Sequence, residues 1–236
     1  MGKYVSYRDG DQPLEGYLAT PDPATRLPGV IIAPTWLNVN DGVRRRADRL
    51  AEMGYAAFIL DVCGAGVRPA PPQRPLDVIL PFMSDRLLYR RRLLAGLEAF
   101  RSQSECAPHN MAAIGYCFGG CGVLELARSG APLKGVVNLH GDLSSPLPAQ
   151  PGAIKAKVLV LHGDADPLGP FECVIEFREE MCRSEANWEI DIYGGAKHGF
   201  TGEGVMGDTM PEAALHYQAE NRSWRTTLEF LKEVLG

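Results

Sequence analysis

Cys117 stands in the run Gly115-Tyr116-Cys117-Phe118-Gly119-Gly120, a nucleophilic side chain with a glycine two residues to either side. That spacing is the one of a nucleophile elbow, with cysteine where serine is usual. The turn is so sharp that flanking side chains collide, which is why glycines are needed at 115 and 119. Met111-Ala112-Ala113-Ile114 before it reads as a buried strand, and Val123-Leu124-Glu125-Leu126-Ala127 after it continues a helix. A thiol at such a strand-to-helix turn sits at a helix N-terminus, where the dipole and open N–H groups favour a thiolate. The chemistry expected is covalent acyl transfer.

A thiol nucleophile needs a base within reach and a third group to orient that base. The apolar run Val158-Leu159-Val160-Leu161 leads into His162-Gly163-Asp164-Ala165-Asp166-Pro167, so two carboxylates follow the end of a strand. Asp166 is preferred as orienter, because Asp164 is placed to make the local Asx turn. Gly194-Gly195-Ala196-Lys197-His198-Gly199 puts His198 in a glycine-rich loop after the last expected strand, and His198 is the base candidate. His140 and His162 also end strands but read as turn caps; His109 and His216 read as surface residues. The order Cys117, Asp166, His198 is that of α/β-hydrolases. An oxyanion hole then takes one N–H from Phe118 and one from the loop after Pro34, with Trp36 the candidate.

The elements that must position these groups alternate short apolar strands with amphipathic helices, which predicts an α/β-hydrolase fold: a mostly parallel sheet with helices on both faces. Strands are expected at 29–33, 56–60, 111–114, 135–139, 158–161 and 188–192, after an N-terminal hairpin. Helices are expected at 43–53, 84–100, 117–128, 171–182 and 211–235. Between Gly64 and Pro81 five prolines (69, 71, 72, 75 and 81) read as a long irregular segment that could wall a pocket. No composition break divides the 236 residues, so a single domain over 1–236 is expected.

A formal charge of −5 provides no basic field, so neither nucleic acid nor an anionic membrane is expected as a partner. The N-terminus lacks a signal-peptide pattern and no apolar run reaches membrane-spanning length, which points to the cytoplasm. Six dispersed cysteines without a C-x-x-C pair fit a reducing compartment, and Cys106, Cys173 and Cys182 read as small buried hydrophobes. No H-E-x-x-H run, Cys/His ligand cluster or dinucleotide fingerprint appears, so no metal and no cofactor is expected.

The stretches IIAPTWLNVN, GYAAFILDVCGAG, IGYCFGG, LHGDADPLGP and KHGF, in this order and spacing, resemble the dienelactone hydrolase (carboxymethylenebutenolidase) family over nearly the whole chain. The resemblance implies cofactor-free hydrolysis of a small-molecule ester or lactone, with Cys117, His198 and Asp166 as the triad. It also implies two departures. A glutamate that helps convert thiol to thiolate is replaced by Thr35, and an arginine that holds the substrate carboxylate falls on Gly202. The 84–100 helix carries the family's other substrate arginine, for which Arg86 is the pick; Thr35 and Arg86 are thus the substrate-contact candidates. The rest of that arginine run reads as a solvated basic face. The competing reading is a non-catalytic protein of this fold that binds a ligand or senses oxidants through Cys117.

Overall fold

In the computed structural model, which describes residues 2–70, 73–202 and 213–236, the apolar runs divide between two cores residue by residue. Val30 and Ile32 pack into one, Ile31 and Ala33 into the other. Ala112 and Ile114 separate in the same way from Met111 and Ala113, as do Leu159 and Leu161 from Val158 and Val160. Side chains of an extended chain alternate faces, so a strand covered on both sides has to be apolar throughout.

The order of elements is β1 (Lys3–Asp9), β2 (Gln12–Ala19), β3 (Leu27–Ala33), α1 (Asp41–Glu52), β4 (Ala56–Ile59), α2 (Pro75–Ser84), α3 (Arg86–Arg101), β5 (Cys106–Tyr116), α4 (Phe118–Arg128), β6 (Gly135–Leu139), β7 (Lys157–Gly163), α5 (Phe171–Arg183), β8 (Trp188–Tyr193) and α6 (Tyr217–Leu235). The strands form one eight-stranded sheet in the order β1-β2-β4-β3-β5-β6-β7-β8. Only β2 pairs antiparallel, with β1 and β4; every pairing from β4 to β8 is parallel. Helices α1 and α6 cover one face, and α2 to α5 the other. This is the α/β-hydrolase arrangement, and all parallel strands deliver their C-terminal ends to the same edge.

Two expectations are corrected. The proline-rich segment is not irregular throughout: Pro75–Ser84 is helix α2, with Pro75 in its first turn, where a missing N–H costs nothing. Pro81 lies inside α2, and its carbonyl accepts the Asp85 N–H at 3.2 Å just before α3 begins with Asp85 as side-chain cap. The boundary expected at 84 is therefore a break between two helices. Pro71, Pro72 and the expected helix start at Pro211 lie outside the described residues. His216 is not a plain surface residue, since its Nδ1 accepts the Ala219 N–H and caps α6.

The arginine run is not a solvated face either. Glu125 of α4 is fully buried and accepts from Arg90 Nε at 2.7 Å and from Arg128 at 3.1 Å, with Arg86 Nε 4.0 Å away. Arg128 also grips Glu180 of α5 at 2.9 and 2.7 Å. Arg91 and Arg92 both pair with Asp9 of β1. Periodicity shows which positions repeat on a helix, but not that acids from other elements will meet them. Among the described residues no helix is long and apolar enough to cross a membrane.

Removing the carboxylate from this cluster takes from Arg90 the acid it pairs with and leaves Arg86 and Arg128 with one acid each, Asp142 and Glu180; breaking a buried pair in this way costs about 3–5 kcal/mol. Glu125→Ala should therefore lower the urea midpoint by an amount corresponding to about 3 kcal/mol or more. A loss below about 1 kcal/mol, measured by equilibrium denaturation, contradicts this account.

Candidate active site

β5 ends at Tyr116 and α4 begins at Phe118, leaving Cys117 alone to turn the chain at φ 53° and ψ −117°. Few non-glycine residues adopt a positive φ, and here the surroundings enforce it. A Cβ on Gly115 would strike the Gly119 carbonyl, and one on Gly119 would strike the carbonyl of Ala33 at the end of β3. One on Gly141, after β6, would lie 2.7 Å from the Cys117 carbonyl oxygen. Three strand ends thus close on one point. The Cys117 N–H is held by the Leu139 carbonyl at 3.0 Å.

Unlike α1 and α3, whose caps Asn40 and Asp85 fill the first turn with side-chain oxygens, α4 has no side-chain cap. Its first N–H groups have no intrahelical acceptor. The helix start is braced from behind. The Phe118 ring stacks on Tyr89 at 4.5 Å, and the Tyr89 hydroxyl donates to the Phe118 carbonyl at 2.9 Å.

His198 and Asp166 come to the thiol from the loops after β8 and β7. His198 Nε2 lies 3.1 Å from Cys117 Sγ, and Nδ1 lies 2.9 Å from Asp166 Oδ2. The other Asp166 oxygen, Oδ1, accepts the Leu168 N–H at 2.9 Å, so Asp166 itself makes the Asx turn expected of Asp164, which is exposed. The Ala165 N–H to Ala196 carbonyl bond, 3.0 Å, ties the two loops together. Burial alone would disfavour charge on His198. The Cys117 thiolate and the hydrogen bonds to Asp166 and Cys117 outweigh it and push His198 up to about 10. A proton can be stored on this imidazole at neutral pH, 3.1 Å from the Cys117 sulfur.

These groups open on a cavity of about 250 Å³. Leu76, Ile79 and Met83 of α2 form part of its wall, together with Phe118, Cys121 and Leu168. The segment expected to wall a pocket does so, but as a helix. Thr35 and Arg86 do not lie on the cavity wall. The Thr35 hydroxyl accepts the Leu37 N–H at 3.3 Å within its own buried loop. Arg86 is buried behind the wall, 3.4 Å from Asp142. Trp36 is buried in the same loop as Thr35, which Gly119 allows to lie against the start of α4.

His140 was read as a turn cap, yet it lines the cavity. Tyr116 pairs with Leu139 and Leu139 with Leu161, so Cys117, His140 and His162 follow in one row across three strands. Sheet register was the signal that could have found it. Its Nε2 is 2.8 Å from Thr201 Oγ1, and its ring meets His198 edge-on at 5.4 Å. Burial, with the charge on His198 adding to it, holds His140 well below the ordinary histidine range, so it stays neutral beside the imidazolium. Among the described residues no group of three or more His, Cys, Asp or Glu side chains is arranged to hold a metal ion.

The family model for the dienelactone hydrolase family matches residues 14–235. The chain belongs to the dienelactone hydrolase family. A relative from Bradyrhizobium sp named "Probable 2-oxo-3-(5-oxofuran-2-ylidene)propanoate lactonase" is 26% identical over 233 residues, 92% of this chain and 88% of the relative. Among solved structures, the dienelactone hydrolase-like promiscuous phosphotriesterase P91 from metagenomic libraries is 33% identical, with a TM-score of 0.89 over 100% of this chain and 99% of that one. A structure named m3DLH is 34% identical, with a TM-score of 0.92 over the same shares of the two chains.

The raised His198 has a measurable sign. Its contribution to folding stability is fully present below its ordinary value of 6.5 and is lost as pH rises through about 10. Nitrogen NMR of the imidazole should show His198 protonated at pH 7 to 8, with its midpoint falling by more than one unit in Cys117→Ala. A midpoint near 6.5 in the parent protein contradicts the raised value of His198.

Proposed function

We propose that this protein hydrolyses small carboxylic esters and lactones, the dienelactone hydrolase type of reaction, through a Cys117-His198-Asp166 triad and a thioester intermediate. The observation that carries the reading is the unbroken chain from Cys117 Sγ through the His198 ring to Asp166, built on an elbow at the floor of a cavity. The names of the family and of the Bradyrhizobium lactonase support the substrate class.

In the acylation step the Cys117 thiolate attacks the carbonyl carbon, and the carbonyl electron pair moves onto oxygen. The Phe118 N–H, at the uncapped start of α4, stabilises that oxyanion; the Trp36 N–H, in the loop beside it, is the second donor. Collapse expels the alkoxide, which takes the proton held on His198. Neutral His198 then removes a proton from water, the resulting hydroxide attacks the thioester, and the thiolate leaves. Asp166 keeps Nδ1 protonated and Nε2 directed at sulfur and substrate, the orienting role of the third triad member. Thiolate formation is assigned to His198 itself, since Thr35 can accept no proton and its hydroxyl is engaged in its own loop.

All six cysteines are free, Cys182 exposed and Cys173 half-buried rather than interior as expected. A chain of unpaired thiols with a reactive one among them fits a reducing, cytoplasmic setting. Burial pushes Cys63, Cys106 and Cys121 up to about 12, so they remain thiols at neutral pH. One equivalent of iodoacetamide at pH 7 should label Cys117, found by peptide mapping, and abolish esterase activity. Cys117→Ala should lose roughly 10³-fold or more in kcat/KM on activated esters, and Asp166→Asn a comparable amount. Turnover by the parent protein no faster than by Cys117→Ala hands the case to the non-catalytic reading.

A further inference from the structure

We infer that the cavity beside Cys117 selects a neutral, apolar acyl group and discriminates against acyl groups that carry a carboxylate, an inference that rests on the proposed hydrolysis. Its wall on the α2 side is made by Leu76, Ile79 and Met83, and Leu168 closes the other side. Among the described residues no lysine or arginine lies on the wall, and its two carboxylates, Asp142 and Asp166, are engaged by Arg86 and His198.

The cation behind the wall is already committed. The Arg86 side chain is 4% exposed, 3.4 Å from Asp142 and 4.0 Å from the fully buried Glu125. Two carboxylates therefore balance its charge before any substrate arrives. Lys197, the neighbour of His198 in sequence, is exposed and off the wall. Residues 203–212, outside the described residues, read EGVMGDTMPE and contribute no cation wherever they lie. A substrate carboxylate entering this space sheds its hydration shell, and the cation it meets among the described lining residues, His198, is already held by Asp166 and Cys117. Burying an unpaired charge in this way is strongly unfavourable. The Bradyrhizobium relative, whose printed substrate is a propanoate and so carries a carboxylate, is thus not a guide to the acyl group accepted here.

The volume sharpens the class. About 250 Å³ is just under the roughly 300–1,000 Å³ of pockets that enclose drug-sized ligands, so only part of a longer chain fits inside. Leu76 and Leu168 line the cavity and are each 56% exposed, which makes them its lips. Leu80, one turn along α2 from Leu76 and so on the same side of the helix, is 54% exposed. An aliphatic acyl chain can start at Cys117, run along α2 and leave over Leu76, covering surface that otherwise faces water. Exposed apolar side chains at the mouth of a cavity are characteristic of a binding groove.

The test compares p-nitrophenyl hexanoate with mono-p-nitrophenyl adipate, chains of equal length that differ by a terminal carboxylate. The hexanoate should be favoured by about 30-fold or more in kcat/KM, an unpaired buried charge being worth at least that much; parity or an adipate preference overturns the inference. Leu76→Arg supplies the missing cation at an exposed position, and it should raise the adipate-to-hexanoate ratio about tenfold. An unchanged ratio overturns the path along α2. If neither ester is turned over faster than by Cys117→Ala, the proposed hydrolysis fails, a result distinct from a preference for the anion.

Discussion

Cys117 is forced into a backbone conformation that an L-residue avoids, and the C-terminal edge of the sheet is organised around that one point. The turn exists because Gly115, Gly119 and Gly141 have no Cβ: with any of the three, β5, α4, the end of β3 or the start of the loop after β6 would have to move apart. Their close approach raises the thiol above the strand ends. It also brings the uncapped start of α4 and the Thr35-Trp36 loop to the same place. Backbone strain of this kind persists only where surroundings over-determine it, and three packed strand ends do so.

Around the cavity, charged side chains fall into two groups that meet at Asp142. Behind the cavity, Glu125 and Glu180 of α4 and α5 hold Arg86, Arg90 and Arg128 in a buried ion-pair network. In front, Asp166, His198 and Cys117 form a short relay whose charge stays within the relay. Satisfying the arginines internally is what leaves the cavity wall apolar. Helix α2, which carries none of these cations, presents leucine, isoleucine and methionine to the cavity.

Family membership and internal geometry speak to different questions. The match over residues 14–235 fixes the lineage, and structures about one third identical reproduce the whole chain at TM-scores near 0.9. What the cavity accepts depends on a few side chains that such agreement leaves free to vary. Where the resemblance implied an arginine there is Gly202, a positive-φ glycine with no side chain to offer.

The elbow, the nucleophile-acid-base order and the parallel strands could all be read from the sequence, because each rests on local rules: glycine spacing at a turn, apolar runs in doubly covered strands, chemistry at strand ends. Even so, the Asx turn that the sequence assigns to Asp164, and that singles out Asp166 by elimination, is made by Asp166 itself. Helix α2, the register that sets His140 beside Cys117, and the burial of Arg86 between Glu125 and Asp142 needed the tertiary structure. A proline-rich segment becomes helical only when Val78 and Phe82 have a core to enter. A row across three strands exists only once they pair, and an arginine is solvated or committed according to acids from elsewhere in the chain. Local steric rules are written residue by residue, whereas the partners of a charge or a strand are decided by which distant segments fold against it.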